Sequence, residues 1–369
     1  MKTIKTYKVE LTTITPIHIG TGEDYVPVDY VIIKESDNKN YFYFINREKF
    51  INHIIEHNMY EKFLTICNTA NSMAINKFIF DNFNKEMIDW TMPVTNEVVN
   101  TYENNIKMNT KKNEINRLEI RSFISDNFSK NIYIPGSSIK GSIRTAVLNY
   151  KIKNEKSNAG LTNYGKSTDL EKNILKIKEK NNSDDPFRLV KVSDFKEDTQ
   201  VSDGKRCSFV DKVINVKSGK VISEGKGLPV LMELSRRNKK FTGEITIIND
   251  ESRNDNIDMN LITKAMNYHY GENSYNFEST TFPSVFNDKV IKEFENVKNQ
   301  IKMNQNSFLM KIGNHSGAFE VTLDGYRKIK IKIGENRYIE SDRQTTIWTN
   351  DLNNMPLGWV QCKYSIVQP

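Results

Sequence analysis

At 369 residues the chain is long enough for two cores of ordinary size, and its 37% hydrophobic content, with 16 tyrosines and 19 phenylalanines, excludes a disordered polyelectrolyte. Its 53 Lys and Arg against 46 Asp and Glu leave a net charge of +7, which favours a polyanionic partner, although lysine-rich solvated faces have the same composition. Cys67, Cys207 and Cys362 show no CxxC spacing and argue against a disulfide framework or a cysteine-rich zinc site.

The opening, MKTIKTYKVELTTITPIHIG, has no long apolar core; it predicts a strand through Val9 and Leu11, a loop from His18 to Tyr25, and a cytoplasmic protein. Strands follow at Tyr30–Ile33 and Tyr41–Phe44. Helices are predicted from about Arg47 to His57 and, as one piece, from about Tyr60 to Phe83. Residues 84–131 are polar and rich in Asn and Lys, and read as an insertion. In IYIPGSSIKGSIRTAVLNYKI a strand ends at Pro135, a Gly/Ser turn follows, and a helix starts near Ile139 with Ile139, Ile143, Val147 and Tyr150 on one inward face. A charged tract at 151–185 holds a short amphipathic helix on Leu170, Ile174 and Ile177. Strands resume at Phe187–Val192, Ser208–Val216, Pro229–Leu234 and Phe241–Ile248. Helices fit Ile257–Tyr268 and Val285–Lys302, and Phe308–Tyr364 is strand-like again. This succession predicts an α+β fold of two domains, 1–186 and 187–369, with mainly antiparallel sheets and insertions near 84–131 and 151–185.

The segment Gly136-Ser137-Ser138-Ile139-Lys140-Gly141-Ser142-Ile143-Arg144 has the most pointed chemistry. Gly136 allows a tight turn, Gly141 allows a ligand close to the helix, and the unsatisfied first-turn N–H groups suit a phosphate. Lys140 and Arg144, four residues apart beside the apolar face, flank such a phosphate without being needed for folding; an ordinary capped helix with two solvated bases reads equally well. The GxxxxGK[ST] spacing is absent, which counts against an ATPase. His18 in PIHIGTG is either a loop-ordering residue or the general acid or base of an RNA endonuclease. Gly313 and Gly317 bracket Asn314, His315 and Ser316 in a loop that suits a phosphate-facing nest or a plain hairpin. Asp126 and Asp194 are isolated carboxylates, and no nucleophile, metal or cofactor set is apparent.

Four stretches, TPIHIGTG at 15–22, IPGSSIKGSIRTA at 134–146, DPFRLVKVSDF at 185–195 and KIGNHSGAF at 311–319 with PLGWV at 356–360, together resemble the RAMP superfamily of CRISPR-associated proteins. Within it they are most similar to the Csm subunits that cap the backbone of type III-A effector complexes at the guide's 3′-proximal end. The resemblance implies RRM-like, ferredoxin-like domains. It places Gly20 and Gly22 in the first family loop, Ser137, Ser138, Lys140 and Arg144 against the guide-RNA backbone, and Gly313 and Gly317 in the late glycine-rich loop. The chain departs from the family pattern at His315, where a further glycine is usual, and this questions close backbone approach there. The implied partners are guide RNA, target RNA, the repeating Csm backbone subunit, the small helical Csm subunit and host ribonucleases that trim the guide's 3′ end. The implied role is assembly and guide maturation rather than catalysis. A guide-processing endonuclease and the repeating slicer subunit are the alternatives.

Overall fold

The computed structural model describes residues 1–35, 39–107, 118–154, 167–178, 182–198, 206–218, 220–221 and 230–367. Parts of the two predicted insertions, at 108–117, 155–166 and 179–181, therefore lie outside the described residues, as does Pro229.

The chain opens with β1 (Lys2–Thr13), β2 (Gly20–Tyr25), β3 (Tyr30–Lys34) and β4 (Asn40–Ile45). Next come α1 (Arg47–Glu56), α2 (Tyr60–Asn68) and α3 (Ser72–Asp81). The single helix predicted over 60–83 is broken because Ala70 takes a positive φ of 50° and Asn71 then caps a new helix, its side chain accepting from the Met73 and Ala74 N–H groups. β5 (Ile88–Pro93), α4 (Asn96–Lys107), β6 (Ile120–Phe123) and β7 (Tyr133–Ile134) lead to the long α5 (Gly136–Asn154). After α6 (Ser167–Ile174) come β8 (Val190–Val192), β9 (Phe195–Glu197), β10 (Ser208–Lys217), β11 (Lys220–Val221), β12 (Val230–Ser235) and β13 (Lys240–Asp250). α7 (Met259–Met266) runs through a π-helical stretch, Asn267–Ser274, into α8 (Tyr275–Thr281), and α9 (Asp288–Met303) follows. β14 (Ser307–Lys311), β15 (Ile329–Lys332), β16 (Tyr338–Ser341), β17 (Thr346–Asn350), β18 (Met355–Pro356) and β19 (Trp359–Ile366) close the chain.

One large sheet has the order β14–β19–β1–β13–β9–β7, with β8 also on β13; the other runs β18–β17–β10–β12–β6–β2, with β11 on β10. β3, β4 and β5 form a smaller sheet, and β15 and β16 a hairpin. Pairing is antiparallel except between β12 and β6 and at the isolated Val94–Val210 bridge. The result is two mixed α+β domains of RRM-like, ferredoxin-like character with largely antiparallel sheets and helical insertions. Each large sheet takes strands from both sides of position 186/187. The stretch 84–131, expected as an insertion, supplies β6 to the second sheet and buries Tyr102, Leu118 and Phe123. Its polar composition hides these widely spaced anchors.

The main core lies between the first sheet and α5, α7 and α9. Ile139, Ile143 and Val147 of α5 meet Leu11, Phe241 and Ile245 of the sheet, with Phe294 and Trp359 in the same cluster. Full burial of side chains of this size stabilises by roughly 1.5–3 kcal/mol each before the entropic cost. α6 also joins this core through Leu170 and Ile174, so the described part of 151–185 is packed structure. Among the described residues no helix is long and apolar enough to cross a membrane.

Candidate nucleic-acid interface

Three loops that are far apart in sequence come together at one end of α5. The carbonyl of His18 accepts from the Asn314 N–H at 2.7 Å, which joins the first loop to the late glycine loop. Gly313 has a φ of +91°, and a Cβ there would overlap the His18 carbonyl oxygen. Gly20, Ser137, Ser138, Gly141, Gly313 and Asn314 line a cleft of about 420 Å³. A Cβ on Gly141 would meet nothing within 4 Å, so this helical glycine leaves the cleft open to an incoming chain.

A groove of about 600 Å³ continues the cleft, sharing Gly313, Asn314, Ser316 and Val321 with it. It is lined by Lys330 and Lys332 from β15, whose alternation with Ile329 and Ile331 puts the lysines on the exposed face. Trp348 forms another part of the wall, with the His315 ring 4.5 Å from it. His315 has a φ of +65°, so the loop keeps the left-handed backbone of a glycine in spite of the side chain. The Arg121 guanidinium lies 2.8 Å from its Nε2. Burial first, and Arg121 second, lower the imidazole to about 4. Sequence reasoning missed Arg121, Lys330, Lys332 and Trp348. The run IKIKI is the available signal, because a strand of that pattern has one basic face.

Several of the residues singled out in the sequence are engaged within the chain itself. His18 is buried at 1% exposure, its Nδ1 is 2.7 Å from the Glu233 carbonyl, and desolvation lowers its pKa to about 4. This is the loop-ordering role of the two that the sequence allowed. Gly136 is also buried: a Cβ would overlap the Val192 carbonyl oxygen and lie 2.6 Å from that of Ser193. Its N–H donates to Asp194 Oδ1 at 2.9 Å, so the helix N-terminus already holds a carboxylate of its own chain. Asp126 is likewise used locally, accepting from the Phe128 and Ser129 N–H groups. Gly22 lies at an open position with a φ of +88°, while Gly317, at +114°, covers Glu320 and Gln344.

Arg144 is held by contacts within the chain. Its Nε donates to Glu171 at 2.8 Å, its Nη1 to Asp185 at 2.9 Å, and the guanidinium lies 5.0 Å from the Phe187 ring centre. It is a structural tie between α5, α6 and the segment entering β8. Neither Arg144 nor Lys140 lines the cleft or its extension. Lys140 is half-buried, and burial and the neighbouring Lys191 lower its pKa. Changing Arg144→Ala is expected to cost about 1 kcal/mol of stability and leave the salt dependence of RNA binding unchanged. Chemical denaturation and salt-titrated binding of the same variant check both parts.

Beneath the late loop lies a buried charged cluster. Lys311 pairs with Glu278, and its ammonium is 3.8 Å from Glu320. Trp359 Nε1 donates to Glu278 at 2.9 Å, and this tryptophan is a fully buried core residue. Burial pushes the Glu320 carboxyl well above the usual carboxylate range, Lys311 opposes the shift and Glu278 adds to it. Among the described residues no group of three or more His, Cys, Asp or Glu is placed to hold a metal ion.

The sheet order and the three converging loops define a class, and a family model supports it: the RAMP superfamily model matches residues 10–314, and the chain belongs to that superfamily. Among curated relatives it is similar to the CRISPR system Cms protein Csm5 of Streptococcus thermophilus, 32% identical over 257 residues, covering 67% of this chain and 66% of that protein. The Csm5 of Methanocaldococcus jannaschii is 32% identical over 202 residues, covering 51% of this chain and 42% of the relative. The chain thus matches less than two thirds of either relative's length. A chain in the cryo-EM structure of a type III-A Csm–crRNA–target RNA ternary complex superposes with a TM-score of 0.63 at 18% identity, covering 97% of this chain and 100% of that one. The crystal structure of T. onnurineus Csm5 gives 0.62 at 17% identity, covering 95% and 99%. These two structures share the fold.

Proposed function

We propose that the protein is a non-catalytic, guide-RNA-binding Csm5-like subunit of a type III-A Csm effector complex. It caps the backbone at the guide's 3′-proximal side and supports guide maturation and antiviral RNA targeting in the cytoplasm. Its partners in this reading are guide RNA, target RNA, the repeating Csm backbone subunit, the small helical subunit and the ribonucleases that trim the guide. The observation that carries it is the convergence of Gly20, Ser137, Ser138, Gly141 and Gly313 on one cleft that opens toward Lys330 and Lys332. Glycines permit close approach of a sugar–phosphate chain, hydroxyls and Asn314 hydrogen-bond it, and the lysines neutralise phosphates. Such contacts are independent of base sequence, as suits a subunit whose complex reads its target by pairing. The endonuclease alternative is weakened because His18, its candidate acid or base, is buried.

Gly141→Glu tests the cleft. The substitution fills open space and replaces a helical glycine, so the fold should gain a few tenths of a kcal/mol or remain unchanged. Guide-RNA affinity should fall at least about tenfold, equally for two guides of unrelated sequence, because a carboxylate then faces phosphates. Unchanged affinity in a folded variant would remove the cleft from the interface.

A further inference from the structure

The late glycine loop carries a side chain that its backbone conformation does not call for. His315 stands at a φ of +65°, where glycine is favoured, yet its ring packs on Trp348 and lines the groove of about 600 Å³. Arg121 Nη1 lies 2.8 Å from His315 Nε2. A guanidinium has donors and no acceptor, so Nε2 is the accepting nitrogen and the proton of the neutral ring sits on Nδ1. Nδ1 has no hydrogen-bond partner among the described residues and is not buried, so it is open to a ligand. Arg121 itself does not line the groove. The charged and titratable groups around the ring are Arg121 on β6, Asp24 opposite it on β2, His18 in the first loop, and Lys330 and Lys332 along the same groove. Burial, then Arg121 and His18, disfavour a second proton on the ring. Lys330 and Lys332 hold no ion pair among the described residues.

We propose that Arg121 is a positioning residue that fixes His315 as a neutral ring, and that His315 Nδ1–H donates to a phosphate oxygen of the RNA strand whose neighbouring phosphates meet Lys330 and Lys332. The inference rests on the glycine-loop reading of the RNA path. A neutral donor makes the same hydrogen bond across the range in which a free imidazole changes its charge, so the contact holds steady with pH. It also spares the loop a second cation beside Arg121.

The test uses the full chain, labelled with nitrogen-15 at histidine, and a fluorescein-labelled single-stranded RNA. In the free protein at pH 7, the ring signal that disappears in His315→Gly should show a protonated Nδ1 and an unprotonated Nε2. In Arg121→Met that signal should lose its fixed tautomer and its pKa should rise, because one of the charges that lowers it is gone. Arg121→Lys still donates and still carries charge, and should keep both properties. A protonated Nε2 in the unaltered chain, or a signal that Arg121→Met leaves unchanged, would overturn the role of Arg121. Anisotropy reads the contact itself, with melting curves to confirm folding. His315→Gly suits the left-handed backbone and should weaken RNA binding about three- to tenfold at pH 7, the loss of one hydrogen bond. Single-stranded DNA of the same sequence should lose as much, and a loss confined to RNA would overturn the phosphate as acceptor. Affinity should rise as pH falls from 7 to 5 in Arg121→Met, and this rise should vanish when His315→Gly is added. An Arg121→Met variant that weakens binding equally at every pH would reduce Arg121 to a nearby cation and sink the inference. If His315→Gly has no effect while Gly141→Glu does, the inference fails and the glycine-loop reading stands; if neither has an effect, both fail.

Discussion

Lys311→Met should destabilise the protein by about 3–5 kcal/mol, because it strands two buried carboxylates without their cation. Lys311, Glu278 and Glu320 are 2% exposed or less, so water cannot take the place of the ammonium. The cluster joins β14, α8, β19 and the loop that carries Gly317, and its disruption should loosen the floor of the cleft. The deficit should depend on pH. Glu320 has a folded pKa raised above its unfolded value, so the folded state holds a proton that the unfolded state releases first. Its contribution is present at low pH and is lost as pH rises through the folded value. Without Lys311 the shift grows, and the variant's deficit should be smaller near pH 5 than near pH 8. Urea denaturation at both values measures this. Adding Glu278→Gln should recover part of the stability, since it removes a stranded charge while an amide oxygen remains for Trp359 Nε1; a double variant no more stable than Lys311→Met would contradict the charge argument.

Gly136→Ala should be nearly as damaging, at about 3 kcal/mol or more, although it adds one methyl group. The added Cβ meets backbone oxygens of Val192 and Ser193, which cannot rotate aside as a side chain would. Moving α5 off the strand would also break the Gly136 N–H bond to Asp194, a cap worth about 1 kcal/mol. Gly141→Ala, five residues along the same helix, meets open space and should be neutral or stabilising by up to about 1 kcal/mol. Melting curves of the two variants make the comparison directly. Similar destabilisation at both glycines would mean that the start of α5 does not pack against β8.

Local sequence determined much of this protein. The period of Ile139, Ile143 and Val147 fixed which face of α5 is buried, and alternation marked β1, β10, β12 and β13, because both patterns follow from the pitch of a single element. The motif glycines were legible as points of close approach, since positive φ at Gly22, Gly313 and Gly317 is a property of the residue type. What sequence left open was which charges are free. Lys140 and Arg144 look alike beside one stripe, yet only tertiary structure brings Glu171 and Asp185 from other segments onto Arg144. Asp194 becomes the cap of a helix that starts 58 residues away in the same manner. Lys330 and Lys332 are ordinary strand lysines until the hairpin of β15 and β16 sets them beside the Gly313 loop. Ion pairing depends on contacts between residues distant in the chain, which no local period encodes, and here those contacts decided which bases remain available to a polyanion.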